Sequence, residues 1–226
     1  MARINGGIIG PDNVPSGPLG SASGVWKLSD AFNYQKAGLW PVVTGITYPV
    51  ANSLRFNSGS SDSLTKNLST ATDLKTWTWS AWIKRSKLST EQGLFSGDAA
   101  STYTTSFFFD TSDRLQYKDV SAGSTRQQLI TNKLFRDISS WYNIQVVYNS
   151  TEGTASNRLK FYVNGSQETS FSTATYPSLN ETTQINSSDP TGIGKQPQST
   201  SNNFNGYMSD VYFIDGQALD PTSFGE

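Results

Sequence analysis

The stretch from Trp141 to Ser170 constrains the fold more than any other. It reads WYNIQVVYN, a polar connection, then RLKFYVNGSQETS. Tyr142, Ile144, Val146 and Tyr148 share one side of a period-2 alternation, and Leu159, Phe161 and Val163 repeat it. Successive side chains of a strand point to opposite faces, so each run predicts a half-buried strand. Asn164-Gly165 then predicts a reversal, because both residues tolerate the positive φ that a type I′ hairpin turn demands.

The rest of the chain from Ile46 onward follows the same grammar. Short strands are predicted near 52–57, 64–68, 76–85, 92–97, 105–110, 113–119, 125–131, 141–149, 158–164, 166–171, 182–187, 191–195 and 204–214, separated by Gly, Ser, Asp and Asn. Many short strands without alternating helices predict an antiparallel sandwich or barrel. In TWTWSAWIKR (76–85), Trp77, Trp79, Ala81 and Ile83 fall on one face, which requires a whole sheet opposite and marks a central strand. TSFFFD (105–110) has aromatics on both faces and is expected to be covered on both. In the last strand Tyr207, Val211 and Phe213 are expected on one face, Gly206 at a bulge or close approach, and Phe224 as a plug at one end of the core.

The first 45 residues differ. GGIIGPDNVPSGPLGSASG carries repeated Gly and Pro that deny it a helix or central strand. Its aliphatics, Ile8 and Ile9 among them, suit either an arm docked on a neighbouring chain or a plain tail. A short helix is expected between an N-cap at Ser29 and a C′ glycine at Gly38, with Trp26, Leu28, Phe32 and Trp40 placed to anchor it to its own domain or to a partner.

Composition removes whole classes of chemistry. The chain has 226 residues and neither Cys nor His, so it has no disulfide, no thiolate nucleophile and no Ser-His-Asp centre. The net charge of −1, without a basic run, removes the main driving force for phosphate-backbone binding, so nucleic acid is not an expected partner. No apolar run approaches ~20 residues, and no membrane-spanning helix is expected. Hard cations held by Asp, Asn and carbonyl oxygens remain open.

The pieces SLRFN (53–57), TWTWSAWIK (76–84), GLFSG (93–97), WYNIQVVY (141–148), LKFYVNG (159–165), IGK (193–195) and FNGYMSDVYFI (204–214) resemble, in order and spacing, the concanavalin A-like lectin/glucanase superfamily, most closely its laminin-G-like branch. The resemblance covers 46–226 and implies an all-β, two-sheet antiparallel jelly-roll sandwich, here with an extended N-terminal arm (1–45) and one short helix. The flanks SGVWKLSDAFNYQKAGLWP and FIDGQALDPTSFGE resemble segments of laminin-G-like proteins of tailed bacteriophages. That resemblance implies a virion structural protein, a head decoration or fibre, attached through its arm to capsid or tail proteins. A homo-oligomer, a trimer for instance, would suit such a site. The alternative is an adhesin that recognises a host surface glycan.

Glucanases of this superfamily carry two carboxylates in an E-x-D-x-x-E pattern. The chain lacks it: Glu91, Glu152, Glu168, Glu181 and Glu226 fall in or near loops or edges, so no enzyme is expected. Relatives often hold calcium at a rim. The candidates are Asp98, Asp110, Asp113 and Asp119, although FDTSDR (109–114) reads equally as a plain hairpin. For a sugar, Tyr103 beside Asp98 or Tyr117 beside Asp119 would pair a stacking ring with an acceptor, with burial in the sandwich as the competing role of each ring.

Overall fold

The computed structural model describes residues 28–39, 53–67, 73–100, 102–196 and 202–224. The chain divides into two units, Met1–Pro49 and Val50–Glu226. In the first, helix α1 spans Leu28–Lys36. Its end is a Schellman motif: Gly38 sits at φ +70°, its N–H donates to Gln35 O, and the Leu39 N–H reaches Tyr34 O. The start differs from expectation. The helix begins at Leu28, so Ser29 lies inside the first turn, where its hydroxyl donates to Asp30 instead of capping. Phe32 is 61% exposed. The Ile8, Ile9, Trp26 and Trp40 expectations, and the side chain of Leu28, lie outside the described residues.

The second unit is built of strands β1 (Leu54–Phe56), β2 (Leu64–Asn67), β3 (Thr76–Arg85), β4 (Gln92–Ala100), β5 (Tyr103–Phe109), β6 (Arg114–Ser121), β7 (Ser124–Leu134), β8 (Tyr142–Asn149), β9 (Leu159–Val163), β10 (Ser166–Glu168), β11 (Phe171–Thr175), β12 (Pro190–Ile193) and β13 (Gly206–Asp215). They form a six-stranded sheet, β1-β13-β3-β8-β9-β10, and a seven-stranded sheet, β11-β7-β6-β5-β4-β12-β2. The two pack face to face as a jelly-roll sandwich with antiparallel pairing throughout the described strands. Asn164 (φ 49°) and Gly165 (φ 73°) make the expected two-residue turn, with Val163 opposite Ser166.

The core is aromatic. Trp77, Trp79, Ala81 and Ile83 point inward from β3 and are fully buried. Trp77 stacks on Tyr148 at 5.4 Å, while Trp79 meets Phe107 of the opposite sheet edge-on at 4.5 Å. Phe107 and Phe109 join this core, and Phe108, on the other face of β5, is still only 5% exposed. Three glycines make close backbone crossings possible. A Cβ on Gly93 would lie 2.1 Å from the Lys195 carbonyl carbon, one on Gly97 2.4 Å from Gln184 O, and one on Gly206 2.1 Å from Lys84 O.

Four expectations need correction. Residues 182–187 are not a strand: Gln184 and Ile185 cross over Gly97, Thr183 Oγ1 turns back to Ile185 O, and Asn186 sits at φ 67°. The run 166–171 is not one strand either. The chain leaves β10 in one sheet and enters β11 in the other, through a turn in which Glu168 accepts from the Ser170 N–H. Tyr207 does not share a face with Val211 and Phe213. A bulge sets Asp210 and Val211 opposite Ala81, with Asp210 at φ 46°, and the extra residue inverts the alternation so that Met208 faces the core. Phe224 does not plug the core. It packs on Tyr212, which is 42% exposed, where the C-terminal segment lies along β3 and β8: the Leu219 N–H donates to Thr78 Oγ1, and Gln145 donates to Leu219 O.

The core supplies a direct test. Trp79 is fully buried, but among the described residues its Nε1–H has no acceptor. Trp79→Ala should cost about 3–5 kcal/mol in urea unfolding. Trp79→Phe should cost clearly less, since it keeps much of the ring and removes an unsatisfied donor.

Candidate functional site

Antiparallel strands collect their turns at the two ends of the sandwich. At one end the loops 86–91, 110–113 and 135–141 meet around Arg85, the last residue of β3. The alternation that buries Ile83 also points Arg85 inward, and its side chain is fully buried. Its guanidinium lies 4.2 Å from the Phe109 ring centre. It donates to Phe135 O at 2.7 Å and to Asp113 Oδ1 at 3.0 Å. The same Asp113 oxygen accepts from the Ser89 N–H at 2.7 Å, and its other oxygen receives Arg136 Nε at 3.3 Å. Desolvation alone would push the Asp113 carboxyl up. The Ser89 N–H and the Arg85 and Arg136 cations outweigh it and hold the group below the usual carboxylate range.

A cleft of about 300 Å³ opens beside this junction, lined by Ser58, Lys87, Ser89, Thr90, Glu91, Thr111, Asn202 and Asn203. Its walls are pinned by side-chain amides. Gln92 donates to Lys87 O and Thr90 Oγ1, Asn205 donates to Ser58 Oγ at 3.0 Å, and Asn202 donates to Glu91 Oε2 at 2.8 Å. Asn203 is 4% exposed, and its Oδ1 receives no hydrogen bond among the described residues. A buried amide oxygen without a donor is costly unless an enclosed water supplies one.

The residues singled out from the sequence lie elsewhere. Asp98 and Tyr103 belong to the β4–β5 hairpin, at the end opposite the cleft: Asp98 pairs with Thr104, and Tyr103, 41% exposed, lies opposite Ala100. The Asp98 side chain lies outside the described part. Tyr117 and Asp119 are a correction. Both point inward from β6 in phase with Leu115 and are fully buried, so neither offers a surface to a sugar ring. Asp119 accepts from Thr105 Oγ1 and pairs with Arg126 at 2.7 Å, and Arg126 extends to Glu181 at 2.9 Å. Burial pushes the Asp119 carboxyl up despite these partners, and pushes the Tyr117 hydroxyl well up. Trp77 and Trp79 are core residues, whereas Trp141 at the entry to β8 is 37% exposed.

Of the calcium candidates, the three with described side chains, Asp110, Asp113 and Asp119, do not assemble. Asp110 is occupied by Arg114 and by the Ser112 and Arg114 N–H groups, Asp113 by Arg85, and Asp119 by Arg126. A carboxylate already neutralised by an arginine is a poor ligand for a hard cation. Among the described residues no three acidic side chains converge. The FDTSDR segment is a plain hairpin turn tied by Asp110.

A family model described as the concanavalin A-like lectin/glucanases superfamily (Laminin_G_3) matches residues 49–223. No curated protein matches the sequence. Similar solved structures include domains LG4-5 of the mouse laminin alpha1 chain (14% identity, TM-score 0.51, 76% of this chain and 44% of that one). The CBM40 of Ruminococcus gnavus IT-sialidase, bound to alpha2,3 sialyllactose, is 12% identical with TM-score 0.50 over 77% of this chain and 95% of that one. The leech intramolecular trans-sialidase is 13% identical with TM-score 0.51 over 77% of this chain and 26% of that one. This chain thus spans less than half of the laminin and leech chains. At these identities the likeness is one of fold.

The Arg85–Asp113 pair can be probed by mutation and by acid. Asp113→Ala strands a buried guanidinium and should cost about 3–5 kcal/mol in urea unfolding at neutral pH. Because the folded-state carboxyl is depressed, its stabilisation is present above the ordinary carboxylate value of about 4 and is lost as pH falls through the folded value. Wild type should therefore lose stability below about pH 4 more steeply than Asp113→Ala, which circular dichroism melts across that range will show.

Proposed function

Because the chain belongs to the concanavalin A-like lectin/glucanase superfamily, we propose that residues 50–226 form a non-catalytic glycan-binding module that uses the cleft beside Arg85. The observation that carries this reading is the lining itself: hydroxyls and amides from four separate segments converge on one polar cleft. A volume of about 300 Å³ suits one or two sugar rings held by hydrogen bonds. Glycosidases need a pair of carboxyl groups about 5–9.5 Å apart flanking the bond they cut. The lining supplies Glu91, and Asn202 holds it.

The proposal extends to where the module is displayed. The phage-like flanks support a place on a bacteriophage virion, in a head decoration or fibre, with residues 1–45 making the attachment to other virion proteins or to further copies of this chain. Exposed Phe32 on α1 and the aliphatics of the arm are the side chains that would carry it.

Two measurements test these statements separately. On a glycan array the full chain should retain a subset of polysaccharides with or without calcium, and Asn203→Ala should weaken that binding by roughly three- to tenfold. A blank array in both conditions would remove the glycan reading. Chains beginning at residue 46 should fold yet be missing from purified particles; incorporation at the wild-type level would remove the attachment reading.

A further inference from the structure

Two open sheets leave four edge strands among the described residues, β1 and β10 in one sheet and β2 and β11 in the other. An edge presents unpaired backbone N–H and C=O groups that another chain can extend, and natural proteins guard such edges by keeping them short or charged. Three of these edges are guarded. β1 has three residues and carries Arg55, β10 has three and carries Glu168, and β2 has four and carries Lys66. β11 has five residues, FSTAT, and no charge. The whole run from Thr169 to Asn180 is uncharged. Among the described residues β11 pairs with β7 alone. Phe171 fixes the strand from the core side, where it meets Phe161 edge-on at 5.8 Å. The one irregularity falls at Ser172, whose hydroxyl donates back to Ile130 O at 3.3 Å and receives Arg114 Nη1 at 3.4 Å. Thr173, Ala174 and Thr175 then run in regular register against Ile130, Leu129 and Gln128, with Ala174 and Thr175 exposed.

We infer that β11 is a self-association edge: it pairs antiparallel with β11 of a second copy about a twofold axis at Ala174, and so joins two seven-stranded sheets into one. The missing charge selects the occupant. A twofold axis repeats the same strand on both sides of the junction, so a charged edge would bring like charges together across it, which destabilises a sheet. β11 has none to bring. Ala174 opposes Ala174, whose small side chain leaves the axis uncrowded. Thr173 opposes Thr175, a threonine pair of the kind that stabilises cross-strand contacts. Leu134 and Leu179, both exposed, stand at the margins of the strand. The junction is made by the sandwich itself and is independent of the arm. Because the paired strands run in opposite directions, the cleft ends of the two copies point opposite ways.

The chain contains no cysteine, which makes the junction directly testable in the full chain. Opposed residues of antiparallel strands lie about 4.5–5.5 Å apart at Cα, within the span of a disulfide. Ala174→Cys should therefore link two chains under a mild oxidant, whereas Thr65→Cys on the exposed β2 edge should not. In sedimentation equilibrium the wild-type chain should associate reversibly. Ala174→Lys should weaken that association at least about tenfold while keeping the wild-type circular dichroism melt. Every variant retains the arm, so contacts made by the arm cannot produce the difference. A wild-type chain that stays monomeric, an association that Ala174→Lys leaves at full strength, or a Thr65→Cys chain that links as readily as Ala174→Cys overturns the inference. If the lysine variant fails to fold, the comparison of the two cysteine variants decides alone.

Discussion

One buried cation organises the cleft end of the sandwich. Arg85 is reached by simple continuation of the β3 alternation, yet its position obliges three loops to supply its partners: Phe135 O, Asp113 and, through Asp113, the Ser89 N–H. Taking a guanidinium out of water costs several kcal/mol unless its partners are in place. The loops that wall the cleft are thus held by the charge behind them. The opposite end repeats the device. Arg126 reaches inward to the buried Asp119 and outward to Glu181, and Tyr148, Trp77 and Thr105 add hydrogen bonds to the segment 181–184 that closes that end. The two carboxyls have opposite linkage. Asp113 favours the fold as pH rises through the acid range, whereas the raised Asp119 favours it as pH falls.

Much of the fold was legible because it rests on local rules. Asn164-Gly165 needs positive φ at both positions, and the sequence offers residues that tolerate it. The Trp77-to-Ile83 alternation needs an opposing sheet, and Phe95 and Phe107 supply it. The failures fall where the chain departs from regular period-2 pairing within one sheet. Asp210 inserts one residue into β13 and inverts every assignment before it. The two residues between β10 and β11 carry the chain from one sheet to the other, and no change of composition marks the crossing. Ile185 is as buried as any strand residue, but it belongs to a segment that lies over Gly97 without pairing to it.

The site was less legible than the fold. Tyr117 and Asp119 drew attention as an aromatic beside an acid, but their phase with Leu115 already pointed them into the core, where Arg126 makes an aspartate tolerable. The cleft is the reverse case. Ser58, Lys87, Thr111 and Asn203 are ordinary loop residues in sequence, far apart along the chain, and only the sheet order brings them together. The one local clue was the density of Ser, Thr and Asn between strands, which many other turns share.

Gly93, Gly97 and Gly206 have a consequence for how such a chain can change over generations. Each lies where backbone rests on backbone, and a single added carbon would collide with it. Lys87, Ser89 and Thr111 at the cleft are exposed. Drift can therefore rewrite the rim while the glycines stay fixed. A lineage facing a changing partner can explore new specificities on an unaltered frame, one loop letter at a time.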